Sequence, residues 1–136
     1  EACRALSAMS DMVVVEGAGG LLVPIDSRAD MADVVSALNM PVILVVGMRL
    51  GCINHALLTL NAMRGRGLKL AGWIANRLDP DMAVYEENIL ALRQRIDAPM
   101  LAEIPYMSRV SVAQVAGYIN NVKLLAVLDT AQSCEG

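Results

Sequence analysis

The sequence contains few aromatic and few charged residues for its size. Of its 136 residues 3% are aromatic and 18% are charged, and phenylalanine is absent. Lysine and arginine are not clustered, and the net charge is −3. Because nucleic-acid binding needs a basic face or stacking rings, we expect no nucleic-acid partner.

Cysteine is also scarce, and its spacing suits neither a metal site nor a disulfide framework. Cys3, Cys52 and Cys134 are far apart and odd in number, which favours a reducing, cytoplasmic setting. No basic segment followed by an apolar run marks a signal peptide. The longest uncharged run, between Asp33 and Arg49, is too short to cross a membrane, so we expect no membrane partner.

The chain is instead rich in apolar residues, at 56%, with a mean hydropathy of +0.49. Such an excess is typical of strands buried on both faces of a parallel sheet. Short apolar runs predict strands over residues 12–15, 42–46, 68–75 and 100–104. Helical spacing predicts helices over 1–9, 31–38, 53–63 and 82–96, and one or two more from Val112 onward with a break near Asn120 and Asn121. This alternation predicts an α/β fold, a three-layer domain with a mostly parallel sheet.

Ligands of such sheets collect beyond the carboxyl ends of the strands. Glu16 follows the first predicted strand and precedes a glycine-rich stretch, where a carboxylate can hold Mg²⁺ beside phosphates. An exposed glutamate in a glycine turn is an equally good interpretation. Residues 51–54 begin a predicted helix whose free N–H groups, with Arg49 nearby, suit an anion. An ordinary strand-to-helix turn remains the alternative.

The two later strand ends carry an amide and an aromatic ring. The side-chain amide of Asn76 has the hydrogen-bond donors and the acceptor needed to recognise a purine edge. The alternative interpretation is that Asn76 forms a turn. Tyr106, after Pro105, can stack on a base or pack within its loop. His55 is the only histidine, and no G-x-S-x-G motif accompanies it, so we expect a structural role and no hydrolase triad.

Five motifs together, in order and spacing, resemble dethiobiotin synthetase. They occupy residues 13–20, 41–47, 50–55, 72–76 and 103–105. The resemblance implies a P-loop NTPase-like fold, a homodimer, and an ATP-dependent ligase of biotin biosynthesis. That reaction closes the ureido ring of 7,8-diaminononanoate with CO₂ through a carbamate and its phosphoric anhydride.

The resemblance also implies roles for individual residues. Glu16 would ligate Mg²⁺, residues 17–19 would lie against the phosphates, and Asn76 would read the adenine. Arg49 stands where the family often carries a lysine that handles the carbamate and phosphate. By this resemblance the residues that would bind ATP are Glu16, Gly17, Ala18, Gly19, Asn76, Arg77, Pro105, Tyr106 and Met107. By the same resemblance the residues that would bind the substrate carboxylate, across a dimer interface, are Gly51, Cys52, Ile53 and Asn54.

Two family features are absent from the sequence. No carboxylate stands near Ser111 and Val112, and no G-x-x-x-x-G-K-[ST] loop occurs. We therefore expect residues 1–136 to be the C-terminal portion of one domain, inactive alone and poorly soluble. Two alternatives stay open: a non-catalytic dimerising remnant, and a related P-loop ligase with another substrate.

Overall fold

A computed structural model describes the backbone of residues 2–132 and the side chains of residues 2–129; Glu1 and Cys134 lie outside the described residues. Three parallel strands, in the order β1-β2-β3, are flanked by helices, which confirms the predicted α/β class. The strands are β1 (Val42–Met48), β2 (Leu70–Arg77) and β3 (Met100–Ile104). The helices are α1 (Ala2–Ser7), α2 (Met31–Leu38), α3 (Cys52–Gly65), α4 (Tyr85–Arg93), α5 (Val112–Tyr118) and α6 (Asn121–Gln132).

The core lies between one face of the sheet and helices α3 and α4. Parallel neighbours need a crossover connection, and α3 and α4 supply the two crossovers. Trp73 of β2 is 1% exposed and packs in one cluster with Met48, Leu60 and Leu92. This packing fixes the sheet against the helices that begin at its carboxyl edge.

Several predicted boundaries differ from the structure. β2 runs two residues later than the predicted 68–75, so Asn76 and Arg77 belong to the strand itself. Helix α4 is shorter than the predicted 82–96. Met82 and Ile96 lie outside the helix, although both side chains are buried. The strand over 100–104 and the helix over 31–38 are confirmed as predicted.

The predicted strand over residues 12–15 is wrong: this segment is irregular, and Val14 is 83% exposed. Among the described residues, no backbone hydrogen bond outside helices and strands involves residues 11–19. A β-branched run forms a strand only when a neighbour pairs with it, and here no described strand does.

A parallel sheet that lacks one of its strands is expected to uncover Val13, Val15, Val42 and Leu44. Val15 is exposed, but Val13 is half-buried. Val42 and Leu44 are half-buried too, because they pack against the α3–α4 core. The exposed side chains of β1 are the alternate ones, Ile43 and Val45, because successive residues of a strand face opposite sides.

The described C-terminal region forms two helices, where one or two were predicted. The Ser111 side chain accepts a hydrogen bond from the Gln114 backbone N–H and caps α5. Between α5 and α6, Ile119 bridges antiparallel to Ala102, and the Asn120 N–H donates to the Leu101 carbonyl at 2.8 Å. The connection between the helices therefore covers the outer edge of β3.

Candidate functional site

The carboxyl ends of the three strands lie at the same level. Gly47 of β1 pairs with Asn76 of β2, which pairs with Ile104 of β3. The segments that follow these residues therefore start from one edge of the sheet. This edge brings Arg49 and the 105–107 segment to the same side as Asn76.

The turn from β1 into α3 has the features of an anion-binding corner. Gly51 precedes α3 with a φ of +89°, a left-handed conformation that favours glycine, and no side chain caps the helix. The Cys52 N–H donates to the Arg49 carbonyl at 3.0 Å. The N–H groups of Ile53 and Asn54 belong to the first helical turn, where no intrahelical acceptor exists. The corner can therefore donate to a carboxylate or phosphate.

The side chains of this corner differ in what they can contribute. Cys52 is 2% exposed, and its Sγ lies 3.8 Å from Asn88 Oδ1. Ile53 packs against the core. Ile53 therefore has only its backbone N–H to offer a ligand, and the Cys52 N–H is already donated to the Arg49 carbonyl. Asn54 and Arg49 have exposed side chains. The guanidinium of Arg49 makes no ion pair with the described residues.

Arg77 is held by protein groups at the end of β2. Its Nε donates to the Asp79 carbonyl at 3.2 Å, and its Nη2 donates to the Pro80 carbonyl at 2.8 Å. The guanidinium carbon lies 4.4 Å from the centre of the Tyr85 ring. These contacts give Arg77 a role in shaping the loop after β2, and its contact with a nucleotide stays a prediction.

The Arg77 contacts continue into a network that the sequence did not reveal. The Tyr85 hydroxyl donates to Glu103 Oε1 at 3.3 Å, and Arg93 Nη2 lies 3.6 Å from Glu103 Oε2. Burial first, and then the Glu103 carboxylate, raise the pKa of Tyr85 to about 12. The one sign of this network in the sequence is Glu103, a carboxylate inside the apolar run of β3. The network ties β2, α4 and β3 together beside the candidate site.

The segment after β3 presents one accessible ring. Tyr106 is 47% exposed, and Pro105 and Met107 are half-buried on either side of it. An exposed ring flanked by apolar groups can stack on a flat heterocycle. The predicted alternative, a fully packed loop aromatic, is less consistent with this exposure.

The glycine segment after Glu16 is accessible but is not part of the sheet. Glu16, Gly17 and Ala18 are exposed. Gly19 has a φ of +82°, and a Cβ there would lie 2.8 Å from the Val23 side chain, so this position requires glycine. The segment therefore has accessible backbone, as a phosphate contact would need.

A metal ion would need ligands beyond Glu16. Within the described residues, no group of three or more acidic, histidine or cysteine side chains could hold an ion. Mg²⁺ commonly keeps several waters and takes one or two carboxylates together with substrate phosphates. One exposed carboxylate beside an accessible glycine segment is compatible with that arrangement.

The chain belongs to the AAA domain family, AAA_26, whose model matches residues 1–114. The parallel sheet with flanking helices agrees with the P-loop NTPase-like fold expected from the sequence. Beyond the family, the chain is similar to curated proteins that are each named ATP-dependent dethiobiotin synthetase BioD. This finding confirms the resemblance stated from the five motifs.

Three of these relatives come from different bacteria. The protein of Aromatoleum aromaticum is 57% identical over 115 residues, which is 85% of this chain and 51% of the relative. That of Nitrosospira multiformis is 58% identical over 74% of this chain and 45% of the relative. That of Cellvibrio japonicus is 50% identical over 90% of this chain and 54% of the relative. The chain thus spans about half the length of these relatives.

Among the described helices, none has the length and apolar character needed to cross a membrane.

Proposed function

We propose that this chain is the C-terminal portion of an ATP-dependent dethiobiotin synthetase. The observation that carries the proposal is that Arg49, Asn76 and Tyr106 share one edge of the sheet. Asn76 lies at the end of β2, and Arg49 and Tyr106 follow the adjacent strands β1 and β3. At that edge the Arg49 guanidinium, the Asn76 amide and the accessible Tyr106 ring accompany an uncapped helix start. The proposed enzyme is a cytoplasmic homodimer that acts on ATP, CO₂ and 7,8-diaminononanoate.

In the proposed reaction, one substrate amine attacks CO₂ and loses a proton to give a carbamate. A carbamate oxygen then takes the γ-phosphoryl group of ATP, and ADP is released. The second amine attacks the carbonyl carbon of this mixed anhydride and displaces phosphate, which closes the ureido ring. Arg49 would balance negative charge on the carbamate and the transferred phosphoryl group. It is the one charged side chain at the start of α3.

The other residues position the two substrates. The corner formed by residues 51–54 would hold the substrate carboxylate from across the dimer interface through its free N–H groups. Asn76 would form hydrogen bonds with the adenine edge, beside Arg77, and Pro105, Tyr106 and Met107 would enclose the ring. Glu16, with residues 17–19, would hold Mg²⁺ and the phosphates, where the metal neutralises charge during phosphoryl transfer.

A covalent chimera tests this function. The part of the Aromatoleum relative outside the match is fused to the full present chain, and dethiobiotin formation from 7,8-diaminononanoate, ATP and bicarbonate is measured. We expect the chimera to be active and the present chain alone to show no turnover. A folded chimera without activity contradicts the proposal, and turnover by the present chain alone contradicts its dependence on a second part.

Two variants of the chimera assign roles at the edge. We expect Arg49→Ala to lower kcat by about 10²-fold, because charge stabilisation in the transition state is lost. We expect Asn76→Ala to raise the KM for ATP by about two- to tenfold with less effect on kcat, because one neutral hydrogen bond is lost. Arg64→Ala, an exposed arginine in the last turn of α3, is the matched control and should leave both constants unchanged.

A further inference from the structure

Strands β2 and β3 stop pairing at the level of the proposed adenine site. The last described pair of their ladder is Asn76 with Ile104. Arg77, the final residue of β2, is paired with Met48 of β1 but, among the described pairs, with no residue of β3. The distance between Asn76 and the 105–107 segment, the two proposed sides of the adenine site, is therefore set by contacts other than this ladder.

A row of three side chains spans the ends of the two strands on the face that packs against α4. The guanidinium carbon of Arg77 lies 4.4 Å from the centre of the Tyr85 ring, and the Tyr85 hydroxyl donates to Glu103 Oε1 at 3.3 Å. Successive residues of a strand face opposite sides, so Asn76 and Ile104 lie on the other face. Tyr85 thus connects the end of β2 to the end of β3 behind the adenine site.

The ring at the centre of the row has a fixed position. Tyr85 is buried and belongs to the core cluster. Val84, the residue before it, has a φ of +52°, a left-handed conformation that is strained for a β-branched residue. The side-chain amide of Asn88 donates to the Val84 carbonyl at 2.7 Å. Such strain persists only where the surrounding contacts over-determine the backbone, so the fold itself sets the place of Tyr85.

The two ends of the row differ in what holds them. Arg93 Nη2 lies 3.6 Å from Glu103 Oε2, and both side chains are partly exposed. An exposed ion pair of this length contributes little, so the hydrogen bond from Tyr85 is the contact that orients Glu103. At the other end, Arg77 donates to two carbonyls of the loop after β2, and the row therefore orders that loop as well.

We infer that Tyr85 and Glu103 are positioning residues for the nucleotide base. Their hydrogen bond, with Arg77 against the ring, fixes the spacing between Asn76 and the 105–107 segment without either residue touching the base. The row joins β2 to β3 and includes no residue of the turn after β1, where the substrate carboxylate is proposed to bind. The inference rests on the proposed function for the identity of the ligand, and on the contacts of Tyr85 for the way the row acts.

Tyr85→Phe, made in the covalent chimera that contains the full present chain, tests this inference. The variant removes the hydroxyl and keeps the ring beside Arg77. We expect it to raise the Kd for ADP and the KM for ATP by about two- to fivefold, because the loss of one hydrogen bond loosens the site. Calorimetric titration measures the Kd, and kcat and the KM for 7,8-diaminononanoate should not change. Tyr118→Phe, at an exposed tyrosine of α5, is the matched control and should leave every constant unchanged.

Variants at Glu103 separate positioning from general stability. We expect Glu103→Leu, which removes the acceptor, to weaken ADP binding at least as much as Tyr85→Phe does. Glu103→Gln keeps an acceptor oxygen and should bind ADP within about twofold of the parent. Because both single changes remove the same contact, the double variant should bind ADP no more weakly than the weaker single variant. Glu87→Leu, at an exposed glutamate in the first turn of α4, is the control.

Three outcomes overturn the inference: parental affinity for ADP in Tyr85→Phe, an equal rise in the KM for 7,8-diaminononanoate, or a Gln variant at residue 103 as weak as the Leu variant. The proposed function fails separately. A chimera that binds ADP but forms no dethiobiotin contradicts the function, and weaker ADP binding by its Tyr85→Phe variant still supports the inference. An active chimera whose variants keep the parental constants contradicts the inference alone, and a chimera that binds no ADP contradicts both.

Discussion

At the scale of single residues, the protonation of Tyr85 makes the stability of the fold depend on pH. It is 7% exposed, and burial together with the Glu103 carboxylate raises its pKa to about 12. A tyrosine in the unfolded chain titrates near pH 10. The neutral hydroxyl is therefore favoured by folding, and its contribution to stability is complete below about pH 10 and is lost as the pH rises towards 12.

The corresponding variant is Tyr85→Phe. We expect the free energy of unfolding of the parent to fall by about 1 kcal/mol between pH 9 and pH 11 through this residue, and the fall to be absent from the variant. Urea titrations followed by the fluorescence of the single Trp73 measure the difference. Tyr118→Phe, at a 47% exposed tyrosine, is the control, and an equal loss of pH dependence there would contradict the assignment to Tyr85.

The residues of the candidate site were predictable where local pattern decides their place. Arg49 and Asn76 follow or end apolar runs, and parallel pairing brings such positions to one edge. The contact of Arg77 with the Tyr85 ring was not predictable, because Tyr85 belongs to another element. Contacts between side chains of different elements depend on packing that no local pattern contains.

At the scale of elements, an ion-pair network joins the start of α2 to the end of α3. Asp30 and Asp33 form a capping box at the start of α2. Arg66, which follows α3, lies 2.7 Å from Asp30 Oδ2 and 2.7 Å from Asp33 Oδ1. Partial desolvation opposes ionisation of Asp30, but the Arg66 contacts and the backbone N–H of Asp33 together lower its pKa. Arg66 lies more than thirty residues from both carboxylates in the sequence, so no local pattern indicates this partner.

We expect Arg66→Met to lower the urea midpoint of unfolding at neutral pH. A carboxyl group whose pKa is lowered by folding stabilises the protein above its unfolded pKa, and this contribution is lost as the pH falls through the folded pKa. The difference between variant and parent should therefore shrink at about pH 3, and also in about 1 M salt, where exposed charges are screened. Arg64→Met serves as the control, and a difference that persists under both conditions would indicate lost packing rather than lost charge.

A second prediction at the scale of elements concerns the close contact between β2 and β3. A Cβ at Gly72 would lie 2.8 Å from Cγ and Cδ1 of Leu101, which is 1% exposed. We expect Gly72→Ala to reduce the free energy of unfolding by about 1–3 kcal/mol, because the buried leucine has little room to move. At Gly20 a Cβ would meet nothing within 4 Å, so Gly20→Ala should be close to neutral. Equal stability of the two variants in chemical denaturation would show that the sheet adjusts freely at Leu101.

The elements themselves were predictable to different degrees. The strand over 100–104 lies between two prolines, and Asp30 caps the helix over 31–38, so local signals define both. The run over 12–15 has the composition of a strand but lacks a described neighbour to pair with. Composition favours a strand, and pairing decides whether one forms.

At the scale of the whole molecule, stability should be distributed unevenly across the sheet. β2 is hydrogen-bonded on both sides, and its Trp73 and Ala75 are 1% and 0% exposed. β1 has one open edge, and residues 11–19 take part in none of the described loop hydrogen bonds. Opening of an amide to solvent is most costly where hydrogen bonds and buried contacts are both lost. The centre of the sheet and its open side therefore differ in the free energy of local unfolding.

We expect amide hydrogen exchange of the isolated chain to follow this order, slowest in β2, faster in β1 and fastest in residues 12–15. Mass spectrometry of peptides after timed exchange measures it, with α4, which is buried on one face only, as the internal reference between the extremes. The order follows from pairing rather than composition, since the run over 12–15 is as apolar as β1. If residues 12–15 exchanged as slowly as β2, they would be paired in the isolated chain, which would contradict the unpaired backbone that the structure gives them.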